Sequence, residues 1–343
     1  MRDDREIKDV KRNPKKRRRI RWGRIFIFVI ILITFIGTLA WASYSAYVVL
    51  KDVYTNYSMI LDDFQKKKEI QTKFQNEKFN NYTNILLVGI DEGDPNILGS
   101  ARRADTIVVL SIQHNDGSIR LLSIPRDTQV GIPGIENLDT IKQSYAYGGT
   151  QLVLRTVEEF LQIPINQFIV MDSKAFIDIV DTVGGLDLYV ENDMDYEDPE
   201  AQFQIHLKKG FQHLDGNAAD QYVRYCSDEL GDVSRVQRQQ RFLKAFCEQM
   251  ISTDKLVKIP NGIKVANNQV MTSITMLDAV KIMKNLKNFS PELIKTEMLP
   301  GSTVNISGMN YWKPDQEAIG KILEDMFKAE SNDDSTNQNN AKK

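Results

Sequence analysis

Cysteine is scarce in this 343-residue sequence: Cys226 and Cys247 are the only two, so no disulfide framework holds the fold and a hydrophobic core must do so. Whether the two pair cannot be read from spacing, and one bridge or two free thiols both stay open. Histidine is nearly as scarce. His114, His206 and His213 have no ligand spacing, which argues against a zinc site. No Gly-rich phosphate loop and no Gly-x-Ser-x-Gly elbow occurs, so P-loop and serine-hydrolase chemistry have no support. Net charge is small as well, at −2, yet it is unevenly spread. The first 24 residues hold twelve Lys or Arg against four acids, leaving an acidic remainder. An acidic body is a poor match to nucleic acid, whose ligands work by neutralising phosphates with Lys and Arg.

What is present first is a long uncharged run. Residues 25–42 read IFIFVIILITFIGTLAWA, and no charge appears before residue 51. A helix of that length crosses about 30 Å of hydrocarbon, and Trp22 and Trp41 bracket it at interfacial depths. The basic flank stays inside by the positive-inside rule, which puts the bulk of the chain outside the cell membrane. A cleaved signal peptide ending at Ala40-Trp41-Ala42 is the rival, although signal-peptide cores are shorter, about 7–15 residues. A nuclear-localisation reading of KKRRR conflicts with the adjoining span. The expected organisation is a basic cytoplasmic tail (1–24), a single-pass transmembrane helix (25–50), an extracellular stalk (51–82), a folded extracellular domain (83–328) and a disordered polar tail (329–343).

At 42% hydrophobic and 26% charged residues, the chain can bury a sizeable core. Within the domain, ILLVGI after Asn84 predicts a buried strand. Strands over 106–113 and 118–124 are joined by His114-Asn115-Asp116-Gly117, with the Asp-Gly signature of a hairpin. Helical spacing predicts helices over 140–147 and 150–161, then a strand at 167–171, a helix at 174–183 ended by Gly184-Gly185, and a strand at 186–190. Residues 191–210 read as acidic and irregular. Helices follow at 217–225, 233–251, 277–286 and 315–327, with a strand at 293–299. This order predicts an α/β fold: an α-β-α sandwich with a central mixed sheet covered by helices, preceded by one transmembrane helix.

Two constellations carry possible chemistry. Arg235, Arg238 and Gln239 recur at spacings of three and four near the start of the helix at 233, a basic N-terminus that opposes the macrodipole unless an anion offsets it. A solvated face paired to Asp228, Glu229 and Asp232 explains the same residues. The second lies at strand ends: Asp91, Arg103 with Asp105, and Arg126 with Asp127, which the hairpin brings to one edge. Two aspartates suit Mg²⁺, which binds through one or two carboxylates, and flanking arginines suit a pyrophosphate. Strand-end capping and surface salt bridges are the alternative.

The blocks NILLVGID, RRADTIVVLSI, RLLSIPRDTQV, KQSYAYGGTQLVLRTVEEFL, FIDIVDTVGGLDLYV, LDGNAADQYVRY and DVSRVQRQQRFL, in this order, resemble the LytR-CpsA-Psr enzymes of bacterial cell-wall assembly. The resemblance runs from Asn84 to Phe327. It implies transfer of a glycopolymer, of teichoic acid or capsular polysaccharide type, from a polyprenyl-pyrophosphate carrier to peptidoglycan through a phosphodiester. It further implies Asp91, Asp105 and Asp232 at a Mg²⁺ ion (Mn²⁺ as the alternative). Arg103, Arg126, Arg224, Arg235 and Gln239 fall on the pyrophosphate, with Arg126, Asp127 and Asp232 catalytic and Asp127 assisting the attacking hydroxyl. An apolar channel for the polyprenyl tail would be lined by Val153, Val157, Phe160, Phe176, Ile177 and Val180. The expected partners are the lipid-linked glycan, peptidoglycan and the cytoplasmic membrane, with no nucleic acid. Two positions depart from the family pattern. Cys226 stands where most members have a second arginine two places after Arg224, and Ser234 where glycine is usual; Lys208, Lys209 or Arg241 are the candidates to compensate. The competing functions are a membrane-bound transcriptional attenuator and a degenerate, lipid-binding or pyrophosphatase-only member.

Overall fold

A computed structural model describes residues 47, 79–91, 101–198, 203–226, 231–252, 270–286, 289–306 and 308–328. The chain divides into two compact units, Met1–Glu69 and Ile70–Lys343, and all described residues but Tyr47 belong to the second. The expected span at 25–50, nearly all of the stalk at 51–82 and the tail at 329–343 lie outside the described residues. Among the described residues no helix is long and apolar enough to cross a membrane.

The domain is organised on a six-stranded mixed sheet. In chain order its strands are β1 (Tyr82–Ile90), β2 (Ala104–Gln113), β3 (Ile119–Ile124), β6 (Gln167–Met171), β11 (Val270–Thr272) and β12 (Ile294–Met298), in spatial order β11-β6-β1-β2-β3-β12. Strands β1, β2 and β3 form an antiparallel meander, β6 pairs parallel with β1, and β12 pairs parallel with β3. The β2–β3 turn is the expected hairpin; Gly117 takes φ 74°, a left-handed value that glycine adopts without penalty.

Alternation along the strands explains the layers, because successive side chains point to opposite faces. On one face Leu86, Val88, Ile107, Val109, Leu122 and Ile124 pack with Val153, Val157 and Leu161 of α1 (Gln143–Leu161) and with Ile319 and Met326 of α6 (Gln316–Met326). On the other, Ile85, Val108, Ile112, Ile119 and Leu121 meet Leu243, Cys247 and Ile251 of α4 (Asp232–Ser252) and Ile282 of α5 (Met276–Asn285). The sheet is thus covered on both sides, as expected of the α-β-α sandwich. A further apolar cluster joins α2 (Ser173–Val183), α3 (Gly216–Arg224) and α4 to the two-stranded sheets β7 (Leu186–Val190) with β10 (Gly210–Leu214) and β8 (Met194–Asp198) with β9 (Phe203–Leu207).

Two expectations need amendment, at 191–210 and at the short strand pairs. The stretch 191–210 is not irregular: it holds β8 and β9, paired antiparallel from Met194↔Leu207 to Asp198↔Phe203. The acids of β8 hid the pairing, although Met194 of β8 and Ile205 and Leu207 of β9 are buried. The two helices expected at 140–147 and 150–161 are both present within α1, separated by a break where Gly148 and Gly149 leave helical geometry and Gly149 takes φ 60°, ψ −154°. The short pairs β4 (Gln129–Gly131) with β5 (Leu138–Thr140) and β13 (Gly301–Ile306) with β14 (Met309–Pro314) were not anticipated.

Candidate active site

The edge where β1 and β3 end and β2 begins gathers most of the chemistry. Strand β2 reaches it through a bulge: Gly89 pairs with Thr106 and Ile90 with Ala104, so Asp105 is the extra residue. A bulge frees its residue from the alternation that fixes its neighbours and re-aims the side chain. Asp105 Oδ2 accepts from Arg126 Nη1 at 2.9 Å. Arg126 sits in the turn that follows β3, closed by Thr128 N–H and Oγ1 donating to Pro125 O at 3.0 and 2.6 Å. Backbone bonds from Lys142 N–H to Arg126 O (3.1 Å) and from Trp312 N–H to Asp127 O (2.9 Å) hold that turn against neighbouring elements.

Arg126 is the hub of three carboxylates. Besides Asp105, its Nη2 lies 3.5 Å from Asp232 Oδ1 and its Nε 3.7 Å from Asp127 Oδ2. Burial opposes its charge, but Asp105, Asp232 and Asp127 outweigh that and keep its pKa above the ordinary arginine value. Asp232, in the first turn of α4, also accepts from Arg235 Nη2 at 2.7 Å, and Lys142 Nζ lies 2.5 Å from Asp127 Oδ1. For Asp232, burial raises the pKa, yet Arg235, Arg126 and hydrogen bonding with Asp127 and Cys226 hold it below the usual carboxylate range. The Cys226 Sγ lies 3.7 Å from Asp232 Oδ1, and burial pushes its thiol pKa up despite Arg235 and Arg126.

Two atoms in this cluster are buried without a hydrogen-bond partner: Asp105 Oδ1, an acceptor, and Arg126 Nε, a donor. Buried polar groups are nearly always paired, so an orphaned acceptor and donor on two bonded side chains single out this cluster as a candidate site. The charges agree. Arg126, Arg235 and Lys142 balance Asp105, Asp127 and Asp232, so an anion entering alone would meet three carboxylates with no net positive charge to receive it. A pyrophosphate accompanied by a divalent cation would not. Among the described residues no group of three or more His, Cys, Asp or Glu is arranged to hold a metal by itself. Asp105 Oδ1, left without a partner, would suit Mg²⁺, which uses one or two carboxylates and leaves its other positions to phosphate oxygens and water.

The other candidates lie in separate contacts. Asp91 Oδ2 takes a two-pronged contact from Arg103, Nε at 3.1 Å and Nη2 at 3.0 Å, and Oδ1 accepts from Arg103 N–H at 2.6 Å. Arg224 bonds Asp220 Oδ2 at 3.2 Å and its guanidinium lies 3.8 Å over the Phe203 ring. Gln239 Nε2 donates to Val223 O at 3.4 Å, a contact to the end of α3. Arg238 does not share the anion-facing side with Arg235. It is 2% exposed, donates to Tyr225 O (Nε at 3.2 Å, Nη2 at 2.8 Å) and to Ser234 Oγ (2.8 Å), and its Nη1 lies 3.5 Å from Glu191. Ser234, in the position expected to be glycine, thus receives Arg238 and donates to Gly231 O at 2.7 Å. Asp228 and Glu229 lie outside the described residues.

None of the three compensating cations stands beside Cys226 in these contacts. Lys208 pairs with Asp193 at 3.2 Å, Lys209 gives its N–H to the same carboxylate at 2.8 Å, and Arg241 pairs with Glu191 at 2.5 Å. The apolar six divide: Val153, Val157 and Phe160 belong to the sheet core, Phe176 and Val180 to the second cluster, and Ile177 packs against Gly216. Both cysteines are free. Sequence reasoning missed Lys142 and Glu191. Lys142 had a visible signal, as the first residue of KQSYAYGG immediately before a helix; Glu191 had none, lying in a stretch read as irregular.

Comparisons with known proteins agree with this fold. The LytR_cpsA_psr family model matches residues 47–328. Bacillus subtilis (strain 168) polyisoprenyl-teichoic acid–peptidoglycan teichoic acid transferase TagV is 32% identical over 244 residues, 69% of this chain and 62% of TagV, so the match spans about three-fifths of that relative. The TagU transferase of the same organism is 29% identical over 301 residues, 88% of this chain and 93% of TagU. Among solved structures, B. subtilis TagV superposes with a TM-score of 0.62 at 29% identity, covering 72% of this chain and 97% of that one. TagT bound to LI-WTA superposes at 0.57 with 25% identity, covering 74% and 92%. The family model takes in most of the chain, including every strand and helix of the site, and the chain belongs to the LytR_cpsA_psr family.

Proposed function

We propose that this chain is a membrane-anchored transferase that moves a teichoic-acid-type glycopolymer from a polyprenyl-pyrophosphate carrier onto peptidoglycan. The names of its TagU and TagV relatives support the substrate classes. The observation that carries the reading is the Arg126 cluster, where guanidinium groups and an orphaned carboxylate oxygen converge on one edge of the sheet. In this reading residues 25–50 cross the cytoplasmic membrane once, with residues 1–24 inside and the domain at 83–328 outside, where both lipid-linked donor and wall acceptor are found.

Phosphoryl transfer asks for positioning and charge stabilisation more than for a covalent nucleophile. The acceptor hydroxyl oxygen forms a bond to the phosphorus that carries the glycan. The bond from that phosphorus to the bridging oxygen breaks, polyprenyl phosphate leaves, and Asp127 receives the acceptor proton. Arg126 and Arg235 bind the phosphate oxygens and meet the charge that develops there, with Arg103, Arg224 and Gln239 at the periphery. Asp105, whose Oδ1 has no partner, would hold Mg²⁺ or Mn²⁺, whose chemistry is to neutralise pyrophosphate charge; Asp91, expected beside it, is taken up by Arg103.

The test is to incubate the full-length protein in liposomes with a labelled polyprenyl-pyrophosphate-linked glycan, peptidoglycan sacculi and Mg²⁺, and to measure label attached covalently to the wall. Attachment that disappears in Arg126→Ala and Arg235→Ala supports the reading. Hydrolysis of the donor without attachment would point to a pyrophosphatase-only protein.

A further inference from the structure

We propose that Lys142 is a positioning residue for the transfer, holding the Asp127 carboxylate for the acceptor hydroxyl and away from Arg126. This rests on the transferase reading above. Lys142 stands at the junction of β2, the turn after β3 and α1. Its N–H donates to Arg126 O at 3.1 Å, its carbonyl accepts from Ala104 N–H at 3.2 Å, and it immediately precedes α1. The main chain of one residue thereby ties the strand end that carries Asp105 to the turn that carries Arg126 and Asp127.

The side chain adds what the backbone does not. Lys142 Nζ is 2.5 Å from Asp127 Oδ1, with the two side chains 22% and 20% exposed. Arg126 Nε, by contrast, is 3.7 Å from Asp127 Oδ2, beyond hydrogen-bond reach, and is one of the two orphaned buried atoms of the site. Asp127 is therefore hydrogen-bonded to the ammonium, while the guanidinium beside it in sequence stands off at ion-pair distance. Two consequences follow for the reaction. One Asp127 oxygen is anchored, which limits rotation of the carboxylate and so sets the direction of the other, and Arg126 Nε is left without that carboxylate as a hydrogen-bond partner.

Alignment of a proton acceptor acts on turnover, whereas a ligand of the donor acts on its binding. The same liposome assay, run on the full-length wild type, Lys142→Met, Lys142→Arg, Asp127→Asn and Lys142→Met/Asp127→Asn, separates them. Lys142→Met keeps side-chain length and every backbone bond, and urea unfolding checks that the fold is retained. We expect kcat to fall about tenfold to a hundredfold, a share of the roughly 10²–10⁴ that a positioned acid or base contributes. The donor KM should stay within about twofold, and Lys142→Arg should recover most of the loss. The double variant should be no slower than Asp127→Asn alone, because the two residues act as one unit. An unchanged kcat in Lys142→Met overturns the assignment, as does a raised donor KM with kcat retained, or an equal loss in Lys142→Arg. If the wild type itself attaches no glycan, the functional reading fails and takes this inference with it; if it attaches glycan and Lys142→Met matches it, only the role of Lys142 fails.

Discussion

Replacing Arg238 should unfold the domain more easily and loosen the donor site together, although Arg238 lies outside the Arg126 cluster. The perturbation is Arg238→Met, which fills the same space without charge. In the folded protein the guanidinium is 2% exposed, bonds the Tyr225 carbonyl twice and Ser234 Oγ once, and lies 3.5 Å from Glu191 Oε1. Breaking a buried ion pair from one side costs about 3–5 kcal/mol when the other charge is stranded. Glu191 is not stranded, because Arg241 Nη1 remains at 2.5 Å and Tyr222 Oη at 3.0 Å, which selects the lower end. The Tyr225 carbonyl does lose its charged donor, a loss of about 1–3 kcal/mol. A destabilisation of about 3 kcal/mol follows, or a fall in Tm of about 6–12 °C for a domain of this size. The assay is urea unfolding, where the midpoint should drop with the slope unchanged. Tyr225 connects Arg224 to Cys226 beside Asp232, so the donor KM should rise in the same variant. A loss under about 1 kcal/mol would refute the reasoning, as would a full loss of stability with donor KM unaltered.

Other outcomes follow from the same geometry. Arg126→Ala and Arg235→Ala should each lower transfer by about 100-fold or more, the cost of removing a donor aimed at developing charge, as measured by wall-attached label. The depressed pKa of Asp232 means that its ionised form favours the folded state above the ordinary carboxylate range and that this contribution disappears as pH falls through the lower, folded-state pKa. Wild type and Asp232→Asn should therefore differ in urea midpoint at neutral pH and converge in acid; a difference that grows on acidification contradicts the ion-pair geometry. A thiol reagent should find one reactive cysteine in the native protein and two after denaturation. Cys226 is exposed, whereas the Cys247 thiol is buried and pushed up to about 12, which keeps it protonated. Chelation of divalent cations should abolish transfer, with recovery on adding Mg²⁺; full activity in the chelator would remove the metal from the proposed function.

The legible part of the fold was the part with strong periodicity. The meander announced itself through apolar runs around Asp116-Gly117, and α2 through its glycine stop, because burial on one or both faces leaves a pattern in sequence. Strands β8 and β9 did not, since three of the five residues of β8 are acids and β9 places polar Gln204 and His206 between its apolar residues, and β11 and β13 are too short or too exposed to carry a pattern. The strand-end charges were legible as a set because hairpin pairing brings them together. The partnership of Lys142 with Asp127, and the turn of Arg238 away from Arg235, were not. A helical wheel ranks residues by angle, and Arg238 follows the Tyr225 carbonyl that α3 delivers, which depends on how two helices pack.

The bulge at Asp105 has a metrical consequence. Ile107 pairs with Ile124 as the last rung between β2 and β3, and Asp105 and Arg126 each lie two residues beyond it. The hairpin works as a ruler whose zero is the turn at Gly117, and both arms are read at the same graduation. The spacing of carboxylate and guanidinium is therefore measured along paired backbone and owes nothing to the length of the connection between β1 and β2, residues 91–103. That connection can lengthen or shorten without moving either group. A single residue inserted within β2 or β3 would set the two arms out of step and reverse the faces of every residue beyond it.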